Sequence, residues 1–152
     1  MSNLNQPTKI TILIVDDEKN ILFILHEKTR EFCSEIFMAE NGIEAIAILE
    51  NKKIDCVLCD IRMPLMNGAE LIKIARQKGI DTPFIFFTGH ACEELMQEVL
   101  RYGAFDFIEK PDFDNLIECM NKGIERGFSK NDALKVETEF FSDYEKVLSK
   151  KS

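Results

Sequence analysis

The feature that most restricts how this chain can fold is a regular alternation of short, mostly apolar runs with longer amphipathic segments. The runs predict five strands, over residues 9–15, 35–39, 55–59, 84–87 and 105–108. Each strand is followed by a segment whose apolar residues recur at helical spacing. Strands that alternate with helices form a parallel sheet with helices on both faces. We therefore expect a three-layer, doubly wound α/β fold with a five-stranded parallel sheet.

The predicted helices are defined by residues that recur at helical spacing, all of them apolar except Lys28. These are Ile21, Ile24, Leu25, Lys28 and Phe32 in the first helix, Ala45, Ile46 and Leu49 in the second, Leu71, Ile72 and Ala75 in the third, Leu95, Val99 and Leu100 in the fourth, and Phe113, Leu116, Ile117, Met120 and Ile124 in the fifth. Asn41 and Gly42 separate the second strand from its helix, and Gly79 is predicted to end the third helix.

Composition excludes several classes of protein. The 152 residues are enough for one domain with a core, and the 45% hydrophobic and 30% charged residues are typical of a soluble globular protein. No apolar run is long enough to span a bilayer, and residues 1–8 lack the apolar core of a signal peptide, so we expect a cytoplasmic protein with no membrane partner. The net charge of −8 argues against nucleic acid as a direct partner.

Cys56 and Cys59 form a C-x-x-C spacing inside the third predicted strand. Side chains three residues apart on a strand point to opposite faces and lie about 10 Å apart, which prevents both chelation and a disulfide. The five cysteines are also an odd number, as expected of reduced thiols. We therefore interpret this pair as buried thiols rather than a metal or redox site.

A lone carboxylate, Asp60, ends that third strand and is followed by a turn through residues 63–68. Asp16 and Asp17 follow the first strand, and ligands in parallel sheets bind outside the carboxyl ends of the strands. Two bare carboxylates about 4 Å apart repel by roughly 4 kcal/mol at an intermediate dielectric, and a hard cation such as Mg²⁺ removes that cost. The sequence therefore predicts a magnesium site, although Asp16 and Asp17 alone could simply cap the first helix.

Thr88 and Lys110 follow the fourth and fifth strands, so they are predicted to lie at the same edge of the sheet. Lys110 offers a point charge for a phosphate oxygen, and Thr88 offers a hydroxyl donor. With Asp60 as nucleophile, this set suits phosphorylation of a carboxylate by a small phosphodonor or a phosphohistidine.

The order of these motifs resembles the receiver domain of two-component response regulators. The matching residues are Asp16, Asp17, Asp60, Met63, Pro64, Met66, Gly68, Thr88, Gly89, Gly103, Ala104, Phe107, Lys110 and Pro111. The match covers residues 9–127, and the resemblance implies the flavodoxin-like strand order 2-1-3-4-5. It leaves residues 1–8 as a tail and residues 128–152 as an extension. Lys110-Pro111 is then expected to be a cis peptide, and Asp112 departs from the family pattern by preceding Phe113.

The resemblance also implies a role for each site residue. Asp60 is the phosphoacceptor, charged by a sensor histidine kinase or a phosphotransfer protein. Mg²⁺ is bound by Asp16, Asp17, Asp60 and the backbone carbonyl of Arg62. Lys110 contacts the phosphoryl group, Thr88 and Phe107 form the switch, and Arg62 and His90 control water access and thus the lifetime of the phosphoryl group. The surface of the fourth helix, fifth strand and fifth helix would then change shape and control a protein effector or a homodimer.

Two enzyme or cofactor classes compete with this reading. A phosphatase of the haloacid-dehalogenase type would need a second Asp at the position of Arg62, which cannot act as its general acid-base. A flavin carrier of similar topology would need a phosphate-binding loop after the first strand, where residues 16–18 are acidic. We therefore expect a phosphorylation-controlled binding module and not a turnover enzyme.

The residues after Gly127 carry a separate pattern. Leu134, Phe141 and Leu148 recur every seven residues, which predicts one amphipathic helix that packs on a partner or on a second copy. This segment is too short for most effector domains, so we expect a stand-alone receiver that acts through protein contacts, unless the chain is a fragment of a longer protein.

Overall fold

Five parallel strands form the centre of the protein in the computed structural model, which describes residues 9–89 and 92–127. The strands are β1 (Thr11–Val15), β2 (Glu35–Ala39), β3 (Cys56–Cys59), β4 (Phe84–Thr88) and β5 (Asp106–Glu109). The helices are α1 (Lys19–Thr29), α2 (Gly42–Asn51), α3 (Gly68–Gln77), α4 (Glu93–Arg101) and α5 (residues 113–127). The strand order is β2-β1-β3-β4-β5, so the predicted fold class and order are confirmed.

Successive side chains of each strand point to opposite faces of the sheet, and helices cover both faces. Ile12 and Ile14 of β1 pack in a cluster with α1 and α5. Leu13 and Val15 pack in a second cluster with α2, α3 and α4. The strands can therefore be almost wholly apolar, and polar residues are left to the strand ends.

The two cysteines of the third strand lie on these opposite faces. Cys56 belongs to the cluster under α1 and α5, and Cys59 belongs to the cluster under α2, α3 and α4. Both are free thiols, and burial raises the pKa of each. The structure therefore agrees with their interpretation as buried thiols.

Two predicted apolar faces are wrong in part. Helix α1 ends at Thr29, and its inner face is formed by Leu22, Leu25 and Thr29, whereas Phe32 is 48% exposed. Residues 21–25 form an unbroken apolar run, so the spacing of apolar residues alone does not show which face of α1 is buried. In α4 only Val99 is fully buried, and Leu100 is 49% exposed.

The remaining helices follow the prediction closely. Helix α3 ends one residue before Lys78, and Gly79 then adopts a φ of 79°, which glycine tolerates without strain. No described helix combines the length and the apolar character needed to cross a membrane. The predicted tail (residues 1–8), the predicted extension (residues 128–152) and His90 lie outside the described residues.

Candidate functional site

The candidate site lies at the edge of the sheet where the parallel strands end. Val15 and Cys59 are register partners, so Asp16 and Asp60, which follow them, lie side by side. The Asp60 N–H donates to the Val15 carbonyl oxygen at 2.9 Å and fixes this arrangement. On the other side of β4, the Lys110 N–H donates to the carbonyl oxygen of the last β4 residue at 2.9 Å.

Three carboxylates converge at this edge. Asp16, Asp17 and Asp60 each offer an oxygen, and these oxygens lie within 4.8 Å of one another. Asp16 and Asp60 are buried, and Asp17 is exposed. The sequence predicted this convergence from the positions of the residues after their strands.

Lys110 is the cation that faces the cluster. Its Nζ lies 3.0 Å from Asp16 Oδ2 and 3.3 Å from Asp60 Oδ2, and the side chain is only 14% exposed. Glu18 adds a weaker contact at 3.9 Å, and its backbone N–H donates to Asp16 Oδ1 at 2.9 Å. Sequence analysis did not assign Glu18 to the site. The one signal that could have identified it is its position directly after Asp16 and Asp17.

Burial makes the negative charge of the cluster costly. It raises the pKa of Asp16 to about 6, although hydrogen bonds from the Glu18 backbone and from Lys110 oppose the rise. Burial also raises the pKa of Asp60, again against the charge of Lys110. Burial would lower the pKa of Lys110, but its hydrogen bonds and ion pairs with Asp16 and Asp60 outweigh burial and raise it. Lys110 is therefore protonated at neutral pH and balances part of the carboxylate charge.

The donor set of the cluster fits a hard divalent cation. All three side-chain donors are carboxylate oxygens, which Mg²⁺ and Ca²⁺ prefer. Softer metals favour thiolate and imidazole ligands instead. The cost of burying these carboxylates is also what a bound cation would relieve.

The loop between β3 and α3 is held against Asp60 by close packing. The Gly68 N–H donates to the Ile61 carbonyl oxygen at 2.7 Å, and a Cβ on Gly68 would lie 2.5 Å from the Asp60 carbonyl oxygen. Asn67 and Glu70 form a reciprocal capping box that starts α3 at this point. Asp60 Oδ1 itself accepts from the Ile61 N–H at 2.8 Å, so the backbone orients the carboxylate.

The remaining predicted residues occupy the same edge or its surroundings. Thr88 is the last residue of β4 and is 2% exposed. Phe107 of β5 is half-buried and packs against the cluster under α2, α3 and α4. Arg62 is exposed in the loop after Asp60. The Lys110–Pro111 peptide bond is cis, as the resemblance implied.

Comparisons with known proteins agree on one family. The model described as "Response regulator receiver domain" matches residues 12–121. The regulatory protein AtoC of Escherichia coli K12 is 42% identical over 106 residues, which is 69% of this chain and 23% of that protein. The transcriptional regulatory protein ZraR of Salmonella typhimurium is 35% identical over 117 residues, which is 76% of this chain and 26% of that protein. The chain thus spans about a quarter of the length of these relatives.

Solved structures give the same result. A CheY-like receiver domain protein from Methanospirillum hungatei has 29% identity and a TM-score of 0.77, with 81% of this chain and 99% of that one covered. The receiver domain of the Francisella response regulator 1452 has 30% identity and a TM-score of 0.71, with 78% and 98% covered.

Proposed function

The chain belongs to the response regulator receiver domain family, and from this premise we propose that it is a binding module controlled by phosphorylation of Asp60. The observation that carries the proposal is the convergence of three carboxylates and the Lys110 ammonium on this residue. We take residues 9–127 as the receiver unit. The phosphodonor is a sensor histidine kinase, a phosphotransfer protein or a small acyl phosphate.

In the proposed reaction, an Asp60 carboxylate oxygen attacks the phosphorus of the donor. The new P–O bond forms as the bond from phosphorus to the donor nitrogen or oxygen breaks, and that atom keeps the electron pair. Lys110 Nζ, now 3.3 Å from Asp60 Oδ2, would then hydrogen bond to a phosphoryl oxygen. The Thr88 hydroxyl would supply a second donor.

Mg²⁺ is the cofactor that this donor set fits, and Asp16, Asp17, Asp60 and the Arg62 backbone carbonyl would hold it. When bound, it supplies positive charge that stabilises the transferring phosphoryl group. Arg62 and His90 are proposed to limit the access of water to the phosphoryl group. The dephosphorylation rate should therefore change in Arg62→Ala and His90→Ala, and unchanged rates would remove that role.

The proposed output is a change in surface shape and not a turnover reaction. Phosphorylation adds a charge of about −1.5 to −2 at Asp60. We propose that Thr88 turns towards this charge and that Phe107, half-buried on the neighbouring strand, moves into the vacated space. The surface of α4, β5 and α5 would then bind a protein effector or a second copy; the extension after Gly127 is an alternative contact for a second copy.

The names of the relatives suggest the kind of process in which such an effector takes part. AtoC and ZraR are named as regulatory proteins, the latter of transcription, so we propose that this chain also signals to a regulatory protein. The net charge of −8 favours contact with protein over direct contact with nucleic acid. We place this signalling in the cytoplasm.

Acetyl phosphate with Mg²⁺ tests the proposal directly. The protein should gain the mass of one phosphoryl group, and the Asp60→Asn variant should gain none. Asp55→Asn is the matched control, because Asp55 lies just before the opposite end of the same strand and accepts from the Thr11 N–H at 2.8 Å. An adduct that persists in Asp60→Asn, or is absent from the unmodified sequence, would contradict the proposal.

A further inference from the structure

A groove of about 530 Å³ lies between α1 and β2, at the edge of the sheet farthest from β5. Its apolar lining comes from Leu22, Phe23 and Met38. Leu22 is buried, but Phe23 is 66% exposed and Met38 is 46% exposed. Large apolar side chains that stay this accessible next to one another are typical of a surface that a partner covers.

The rim of the groove is acidic. Glu27, Glu40 and Glu44 line it, together with Lys19 and His26. Glu27 is partly balanced by Arg30, which lies 3.8 Å away. Among the described residues, Glu40 and Glu44 form no ion pair with a lysine or arginine.

We propose that this groove binds an amphipathic helix of a protein partner, with apolar residues that cover Phe23 and Met38 and with lysines or arginines that face Glu40 and Glu44. The apolar lining would supply most of the affinity, and the rim would select the charge of the partner. Methionine suits such a surface, because its unbranched side chain adapts to different partner residues.

The shape of the groove favours a helix over a small ligand. A small molecule that touched Phe23 would remain largely in water, because that side chain projects from the surface with 66% of its area exposed. A helix covers several such side chains at once with residues that recur every three or four positions. The overall charge of −8 also disfavours a second copy of this chain as the occupant.

The location of the groove makes binding independent of phosphorylation. Thr88 and Phe107 lie on β4 and β5, and β1 and β3 separate those strands from β2. A partner in the groove would therefore stay bound while the surface of α4, β5 and α5 changes. The groove would tether the protein to a fixed partner, and this role does not require that Asp60 is phosphorylated.

A synthetic peptide of about 18 residues, or roughly five turns of helix, provides the probe. Its leucines recur at helical spacing and its other positions are lysine; a second peptide carries glutamate in place of lysine, and a third has the lysine composition in scrambled order. Binding to the 152-residue chain is followed by NMR shifts of backbone amides at about 0.15 M salt, where distant charges are screened. We expect saturable shifts confined to α1, β2 and residues 40–44, with the amphipathic lysine peptide only, and an affinity that acetyl phosphate leaves unchanged.

Matched substitutions locate the contact. Phe23→Ser should weaken binding by about tenfold or more, because aromatic anchors dominate such interfaces, whereas Phe32→Ser, three residues after the end of α1, should change it by less than about twofold. Glu40→Lys should weaken binding more than Glu31→Lys, which alters the net charge equally outside the groove. All four side chains are exposed, so the fold should survive each change.

Four results would overturn the proposal. They are equal binding of the glutamate or scrambled peptide, equal losses in Phe23→Ser and Phe32→Ser, shifts centred outside α1, β2 and residues 40–44, and groove amides that are already protected in the free 152-residue chain. The last result would assign the groove to another segment of the same chain.

Discussion

Replacing Asp16 by Asn should stabilise the protein when Mg²⁺ is absent, although it removes an ion pair. Asp16 is 1% exposed, and it shares the site with the carboxylates of Asp17 and Asp60. Asn keeps an oxygen that can accept from the Glu18 N–H, as Asp16 Oδ1 does at 2.9 Å. Lys110 keeps Asp60 as a partner at 3.3 Å. The substitution therefore removes a costly charge and few bonds.

The magnitude follows from the geometry. Two carboxylate oxygens 4.8 Å apart repel by about 3.5 kcal/mol at an effective dielectric of 20. The rise in the pKa of Asp16 from 3.8 to about 6 corresponds to about 3 kcal/mol of destabilisation when the group is ionised. The lost contact with Lys110 at 3.0 Å, already included in that pKa, leaves part of the Lys110 charge unbalanced. We expect a net gain of about 1–2 kcal/mol in the free energy of unfolding at pH 7.

The pH dependence has a definite sign. Because the pKa of Asp16 is higher in the folded protein, the folded state binds the proton more tightly than the unfolded state. The contribution of Asp16 to stability is therefore most favourable below about pH 4 and is lost as the pH rises through about 6. The advantage of Asp16→Asn should be largest above pH 6 and should shrink at acidic pH.

Urea denaturation in the presence of EDTA, at neutral pH and below about pH 4, measures both effects. Addition of Mg²⁺ should reverse the order at neutral pH, because at about 100 times its Kd a ligand stabilises the folded state by about 2.7 kcal/mol and the variant binds it less tightly. Asp55→Asn serves as the control outside the site. The reasoning is refuted if Asp16→Asn is less stable than the unmodified protein in EDTA at pH 7, or if its advantage grows as the pH falls.

Three further substitutions test the packing of the loop beside Asp60 and of the rest of the fold. Gly68→Ala should lower the free energy of unfolding by about 1–3 kcal/mol, since the added Cβ would lie 2.5 Å from the Asp60 carbonyl oxygen. Gly123→Ala in α5 should instead raise the free energy of unfolding by about 0.5–1 kcal/mol, because the nearest atom to its added Cβ lies 3.5 Å away. Equal effects of the two substitutions in urea denaturation would contradict this packing argument. Arg76→Met should lower the free energy of unfolding by about 2–4 kcal/mol, because this guanidinium donates to three main-chain carbonyls at 2.7–2.9 Å. A loss below about 0.5 kcal/mol in urea denaturation would show that those carbonyls find other donors.

The fold was predictable because its signals are local and repeated. Apolar runs followed by helical spacing identify strands and helices, and the residues directly after the strands mark one edge of the sheet. This is why the sequence alone predicts that Asp16, Asp60 and Lys110 lie together. The sequence predicted β2 with the bounds that the structure shows, Glu35–Ala39, and the other strand boundaries within two residues.

The sequence did not reveal what depends on distances across the fold. Nothing in the pattern indicates that Gly68 touches the Asp60 carbonyl, because that contact exists only once the loop has closed. The network of Arg76 joins the ends of α3 and α4 across 26 residues of sequence and leaves no periodic signal. Phe32 and Leu100 share the helical spacing of the buried residues yet are exposed, because apolar spacing reports which residues prefer burial and not which of them the sheet covers.

Lys110 links these observations into one account of the site. Without a metal, its ammonium lies between Asp16 and Asp60 and balances two buried carboxylates. A cation at those carboxylates would take over this balance, and Lys110 would then be released towards the incoming phosphoryl oxygens. The same burial that makes the carboxylates costly strengthens every charge contact at the site. The proposed phosphoryl transfer would thus use two sources of positive charge: Lys110, which lies 3.3 Å from Asp60 Oδ2 and would hydrogen bond to the phosphoryl oxygens, and a cation that Asp16, Asp17 and Asp60 would hold.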